Sequence, residues 1–176
     1  PGIYREVVRL HRSGELGKPI VFKSVPEHQA VICGSDPMTS WRLHSPGIWM
    51  AESDNISDPV DPKDRRYRFD RPENGLWLYH NGFPMIRAER PDELLPGMFC
   101  LDLSGKRVFA AMDDGRDPNR EELDFAWRSC LFRVKGPTGK PLLSDVHIIG
   151  FTFLHDASWL TGSALAYAGR RGLIEN

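Results

Sequence analysis

An all-β fold is predicted for this chain, with strands stacked as a solenoid at its two ends and a separate antiparallel β unit between them. Three observations predict it. Segments 16–36 (LGKPIVFKSVPEHQAVICGSD) and 142–176 (LLSDVHIIGFTFLHDASWLTGSALAYAGRRGLIEN) both consist of short apolar fragments punctuated by Gly, Asn and Asp. Segment 37–128 holds four of the five Trp and nine of the fourteen Pro residues, a composition shift that marks a unit of its own. Helical spacing is scarce, confined to a short Pro91–Leu95 turn and to Arg120–Trp127.

Taken in order, the elements are short. Ile20-Val21-Phe22 and Val31-Ile32-Cys33 are apolar, β-branched-rich runs closed by turn formers, which suits strands of a coil better than stand-alone hairpins. Leu76–His80, then Asn81-Gly82, then Phe83–Ile86 reads as a hairpin, because Asn-Gly tolerates the two positive φ angles of a type I′ turn. A second hairpin runs from Met98 to Leu103, turns at Ser104-Gly105 and returns through Val108–Met112. Beyond the middle segment, Val146–Phe153 reads as a strand, and Ile174 follows Ile148 by 26 residues with Ala164–Tyr167 between them. A repeat of about 20–50 residues built from strands marks a β-solenoid. The chain opens at Pro1-Gly2-Ile3-Tyr4 and stops at Gly172–Asn176 in strand-like sequence, whereas a terminal turn must bury its face against a neighbour. The expectation is an excerpt from a longer protein.

Composition narrows the function classes. With 176 residues and 40% hydrophobic content the chain can build a sizeable core. Lys+Arg 23 against Asp+Glu 24 leave a net charge of −1, and no basic run exceeds two residues, so nucleic acid is not an expected partner. Apolar runs fall far short of the roughly 20 residues that span a bilayer, so no membrane partner is expected, while a removed signal peptide stays open. Cys33, Cys100 and Cys130 are too few and too dispersed for a disulfide scaffold or a CxxC zinc site; free thiols or one Cys100–Cys130 bridge both fit. Asn55-Ile56-Ser57 matches the N-glycosylation pattern.

Pro1–Glu6, Gly17–Ile20, Ile32–Asp36, the Pro91–Gly97 turn, Gly150–Phe153 and Ile174–Asn176 together resemble the N-terminal region of right-handed parallel β-helix proteins. More narrowly, they resemble carbohydrate-active proteins in which a β-sandwich interrupts the first coils, the β-xylosidase-type glycoside hydrolases among them. Where related sequences often read His-Ala-Ala-Asn after the Gly-Phe-Thr-Phe strand, this chain has His155-Asp156-Ala157-Ser158. The resemblance implies β-helix coils at 1–36, an inserted antiparallel β domain at 37–128 and a continuation of the β-helix at 129–176, truncated at its C-terminal end. It also implies a secreted or periplasmic glycoside hydrolase with an oligosaccharide or polysaccharide as partner. Its catalytic carboxylates are expected beyond residue 176, which leaves this chain inactive by itself. A pectate-type polysaccharide lyase and a non-catalytic sugar-binding or adhesion solenoid are the alternatives, and a homo-oligomer stays open.

Candidate site residues follow from position. His155 and Asp156 leave an apolar strand where side chains turn toward a groove, and Trp159 could stack on a pyranose face, so these three are the candidate substrate contacts. The competing reading is a turn capped by Asp156 with His155 and Trp159 packed. Trp41, Trp49, Trp77 and Tyr79 are read as a small core rather than a sugar platform, and Glu52 with Asp54 as a solvated same-face pair. Asp113–Asn119 is dense in oxygen but lacks calcium-loop order, so no cofactor is expected and calcium is only a weak option. Gly136–Pro141 lacks the Ser or Thr of a phosphate loop, and the six His residues show no zinc spacing.

Overall fold

The computed structural model describes residues 1–56, 75–135, 142–157 and 164–175. Trp159, Ser158, the Gly136–Pro141 loop and Ser57 of the Asn-x-Ser tripeptide lie outside the described residues. The all-β expectation holds: the described residues form strands and three-residue 3-10 turns, with no α-helix among them. By contacts the chain divides into two compact units, Pro1–Ser35 with Arg128–Asn176 and, separately, Asp36–Trp127. These are called the parallel unit and the inserted unit below.

The parallel unit contains three parallel sheets. β1 (Gly2–Tyr4), β4 (Ala30–Cys33) and β17 (Thr152–Leu154) form the first. β2 (Val8–Leu10), β14 (Phe132–Lys135) and β18 (Leu165–Arg170) form the second, with β15 (Leu143–Ser144) beside the end of β18. β3 (Ile20–Lys23), β16 (Val146–Ile149) and β19 (Leu173–Glu175) form the third. In chain order the strands visit the sheets in one sequence three times, and each new strand pairs beside its predecessor. The 26-residue spacing read from the sequence is one such circuit: Ile148 pairs with Ile174 on one side and with Phe22 on the other.

One expectation needs correction here. Val146–Phe153 is not a single strand, because Gly150 at φ 66° bends the chain and sends β16 and β17 into different sheets. A left-handed backbone angle of this kind is inexpensive for glycine. Before that bend the strand period of two sorts the side chains: Val146 and Ile148 are buried, His147 and Ile149 only partly so. The core they join includes Leu10, Ile32, Phe132 and Val134, and Phe132 sits at its centre, fully buried. Its ring meets Phe22 edge-on at 5.2 Å and lies 6.1 and 6.5 Å from Phe151 and Phe153, within the range of favourable aromatic pairing.

Polar corners pin successive circuits together. Asp145, itself buried and at φ 55°, accepts two hydrogen bonds from Arg171, Nε at 2.8 Å and Nη2 at 2.6 Å. That bidentate bond, foremost, holds the Asp145 carboxyl below the usual carboxylate range, with Ser144 assisting and burial opposing. A depressed folded-state pKa gives stability that is present above the unfolded value of about 3.9 and is lost as pH falls through the folded one. The thermal midpoint difference between the native chain and Asp145→Asn should therefore be constant from roughly pH 8 to pH 5 and shrink below about pH 4. A difference that persists undiminished in acid would refute this role for the carboxylate.

In the inserted unit, β6 (Arg42–Ser45), β7 (Ile48–Glu52), β12 (Arg107–Ala111), β11 (Met98–Asp102) and β10 (Ile86–Arg87) form one sheet, antiparallel except for the last pair. β5 (Ser35–Pro37), β13 (Leu123–Ala126), β8 (Trp77–His80) and β9 (Phe83–Pro84) form the other. Leu78, Leu123 and Phe125 of the second sheet share one buried cluster with Ala51, Phe99, Val108 and Ala110 of the first. The opposite face of the five-stranded sheet buries Met50, Cys100 and Phe109 with Ala88.

Both expected hairpins form, the first with a shorter return than Phe83–Ile86: β9 ends at Pro84 and Ile86 pairs with Met98 in the other sheet. Asn81 (φ 50°) and Gly82 (φ 80°) turn β8 into β9, as the positive-φ requirement demanded. The second turn runs through Ser104–Lys106, where Asp102 Oδ1 accepts from Ser104 Oγ and Gly105 N. The helix suggested for Arg120–Trp127 does not form. Pro118–Arg120 makes a single 3-10 turn and Leu123–Ala126 is a strand with all four residues buried, a central position where sheet pairing overrides weak helical spacing.

Candidate functional site

Three corners of the parallel unit stack because each follows a strand of the same sheet. Arg5 lies just past β1, Cys33–Ser35 at the end of β4, and Leu154–Ala157 at the end of β17. Stacking brings His155 to Ser35, 120 positions earlier: Ser35 Oγ and His155 Nδ1 are 2.8 Å apart. Arg5 Nη1 donates to the Ser35 carbonyl at 2.6 Å and to Ser35 Oγ at 3.2 Å. Cys33 Sγ lies 3.2 Å from Ser35 Oγ and 3.9 Å from His155 Nδ1.

Ser35 Oγ accepts from Arg5 and shares a further hydrogen bond with His155 Nδ1, which fixes the plane of the imidazole whichever of the two atoms donates. Ser35 is fully buried, so this contact orients the imidazole and is not a nucleophile–base pair that a substrate could reach. His155 itself is partly exposed and sits at φ 52°. Its carbonyl lies so close to Gly34 that a Cβ there would be 2.2 Å away, which is why a residue without a side chain occupies that corner.

Asp156 Oδ1 accepts from Cys130 N at 3.0 Å, and Ala157 N donates to Arg128 O at 2.9 Å. The Asp156 carboxylate thus ties its corner to the segment leading into β14, across 26 residues of sequence. Sequence reasoning selected His155 and Asp156 but missed Arg5, Cys33, Ser35 and Cys130. Only the recurrence of a polar residue just after each strand of one sheet could have signalled them. Trp159 lies outside the described residues.

Other candidates serve structure. All three cysteines are free thiols, and burial, first of all, pushes Cys100 up to about 11, so it is no thiolate nucleophile near neutral pH. Glu52 pairs with Arg42 at 2.6 Å and Asp54 with Lys106 at 3.4 Å, all on the surface. Trp41 is buried, while Trp49, Trp77 and Trp127 pack against the same core. Asp117 accepts from Asn119, whose own side chain bonds both backbone polar groups of Trp41. Among the described residues no group of three or more His, Cys, Asp or Glu is placed to hold a metal ion, and no helix is long and apolar enough to cross a membrane.

No family model and no curated protein matches the sequence. Solved structures do match the fold. One, described as the complex structure of XylC with xylose, is 17% identical and superposes with a TM-score of 0.68 over 89% of this chain and 29% of its own length. Another, described as a glycoside hydrolase, is 13% identical with a TM-score of 0.58 over 88% of this chain and 41% of its own. The chain shares its fold with a xylose-bound protein and a glycoside hydrolase. It spans less than half the length of either.

Proposed function

We propose that this chain is part of a carbohydrate-active protein, a glycoside hydrolase built on a right-handed parallel β-helix. In this reading coil residues 1–36 give way to a β-sandwich insertion at 37–128 and the coil resumes at 129–176. The observation that carries the reading is the threefold circuit through three parallel sheets, interrupted after β4 by a two-sheet unit, in a fold shared over 89% of the chain with a xylose-bound protein. Right-handedness is supported by the strong preference of parallel crossovers for that hand.

Such a coil suits glycoside hydrolysis. Neighbouring strands lie roughly 4.7–4.9 Å apart, close to the roughly 5–5.5 Å that separates the two carboxyl groups of a retaining enzyme. Carboxylates on adjacent circuits beyond these residues would act as nucleophile and acid/base. His155 would hydrogen-bond through Nε2 to a sugar hydroxyl in the groove beside them, and Asp156 would hold the corner that aims it. A polymeric substrate implies a secreted or periplasmic protein.

The test is to supply the full-length protein with nitrophenyl xyloside, xylo-oligosaccharides and polygalacturonate. Release of nitrophenol or new reducing ends without an unsaturated product is expected, and His155→Gln should lower kcat/KM about tenfold, the loss of one good hydrogen bond in the transition state. Appearance of the ultraviolet-absorbing unsaturated product would make the protein a lyase. Saturable binding with no turnover of any of these would make it a binding solenoid.

A further inference from the structure

The inserted unit carries a polar hollow of about 240 Å³ between the end of β5 and the end of β7, lined chiefly by Asp36, Thr39, Glu52, Ser53 and Asn55. Its polar groups are held in place before any ligand arrives. Asp36 Oδ2 accepts from Trp127 Nε1 at 2.7 Å and from Asn55 Nδ2 at 3.4 Å, which fixes the plane of the carboxylate. Ser53 Oγ accepts from Asn55 N at 3.3 Å, which leaves its hydroxyl proton available as a donor. Glu52 is steadied at the rim by Arg42.

We propose that this hollow binds one uncharged sugar residue of a saccharide, as a subsite outside the catalytic groove. The inference rests on the carbohydrate reading above and narrows its substrate class. Two carboxylates accept from neighbouring hydroxyls of the sugar, and Ser53 and Thr39 donate to its oxygens. Preorganised acceptors and donors are what a small polyol requires, since each buried hydroxyl must find a partner. The volume is below the roughly 300 Å³ at which sites for drug-sized ligands begin, which suits a single ring. A uronate is rejected, because its carboxylate would face Asp36 and Glu52 as like charges.

The indole N–H of Trp127 reports on Asp36 directly and can be followed by nitrogen-15 NMR of the full chain during titration. Xylotriose should shift that resonance saturably, trigalacturonate should not, and Glu52→Gln with Ser53→Ala should weaken the xylotriose response at least about tenfold. Glu52 is largely exposed, so its replacement leaves folding intact, and the remaining tryptophan resonances verify this. An unmoved Trp127 resonance, an equal response in the double variant, or a response to calcium with none to sugar would each overturn the subsite. Hydrolysis of xylosides by the full-length protein without a Trp127 response would retire the subsite and leave the proposed function standing. A Trp127 response to xylotriose in a protein that hydrolyses nothing would uphold the subsite and retire the hydrolase reading.

Discussion

Phe132→Ala is expected to cost the parallel unit about 3–5 kcal/mol, the usual range for removing a large buried aromatic side chain. Phe132 is 1% exposed, and its ring, on β14 of the second circuit, meets Phe22 on β3 of the first and Phe153 on β17 of the third, with Phe151 just before β17. Truncation leaves a hole bounded by rings held on two other circuits, which can collapse only by disturbing the parallel register. Because whole domains are stable by only about 5–15 kcal/mol, the loss should be visible as local unfolding. Amide hydrogen exchange resolved by peptide is the measurement of choice, since four of the five tryptophans, Trp41, Trp49, Trp77 and Trp127, belong to the inserted unit and would dominate the fluorescence. Protection should fall across β14, β16 and β17 and recover largely in Phe132→Leu. Unchanged protection in the alanine variant would show that the aromatic cluster does not hold the circuits together.

Gly34→Ala should destabilise the chain by about 3 kcal/mol, the upper end of ordinary overpacking. The reason is steric and involves backbone: a Cβ would lie 2.2 Å from the His155 carbonyl and 3.0 Å from that of Arg128. Backbone carbonyls cannot rotate aside, so the corner at His155 must move, and the 2.8 Å contact with Ser35 goes with it. Gly47→Ala is the control. There φ is 78° and nothing lies within 4 Å, so only left-handed strain, about 1 kcal/mol, is felt. Calorimetry of the two variants separates crowding from strain; a Gly34→Ala midpoint no lower than that of Gly47→Ala would mean the corner tolerates displacement. If the corner also aims His155 at substrate, Gly34→Ala should lower activity at temperatures where the protein is still folded.

Local chemistry reached further in the inserted unit than in the parallel one. Asn81-Gly82 identified its hairpin because the turn requirement is satisfied within two residues, and Met98–Met112 did so because antiparallel partners are neighbours in sequence. Arg120–Trp127 misled because its residues are buried on both sides, which erases the alternation that distinguishes a strand. In the parallel unit the 26-residue spacing of Ile148 and Ile174 was readable, while the pairing of Val146–Ile149 with Ile20–Lys23 was not. Parallel partners are joined by long connections of variable length, so no local pattern records which strand lies beside which.

The same distinction governs the site. Residue order by itself determined that the chain is built of strands, that its middle differs in kind from its ends, and that His155 and Asp156 stand where a strand leaves its sheet. Tertiary structure alone decided that Arg5, Ser35 and His155 form one hydrogen-bonded group and that Asp36, Glu52, Ser53 and Asn55 line one hollow, with Trp127 bonded to Asp36. Backbone preferences and turn chemistry act over a few residues and are written locally, whereas contacts between stacked circuits and facing sheets depend on how many residues separate one strand from its eventual neighbour.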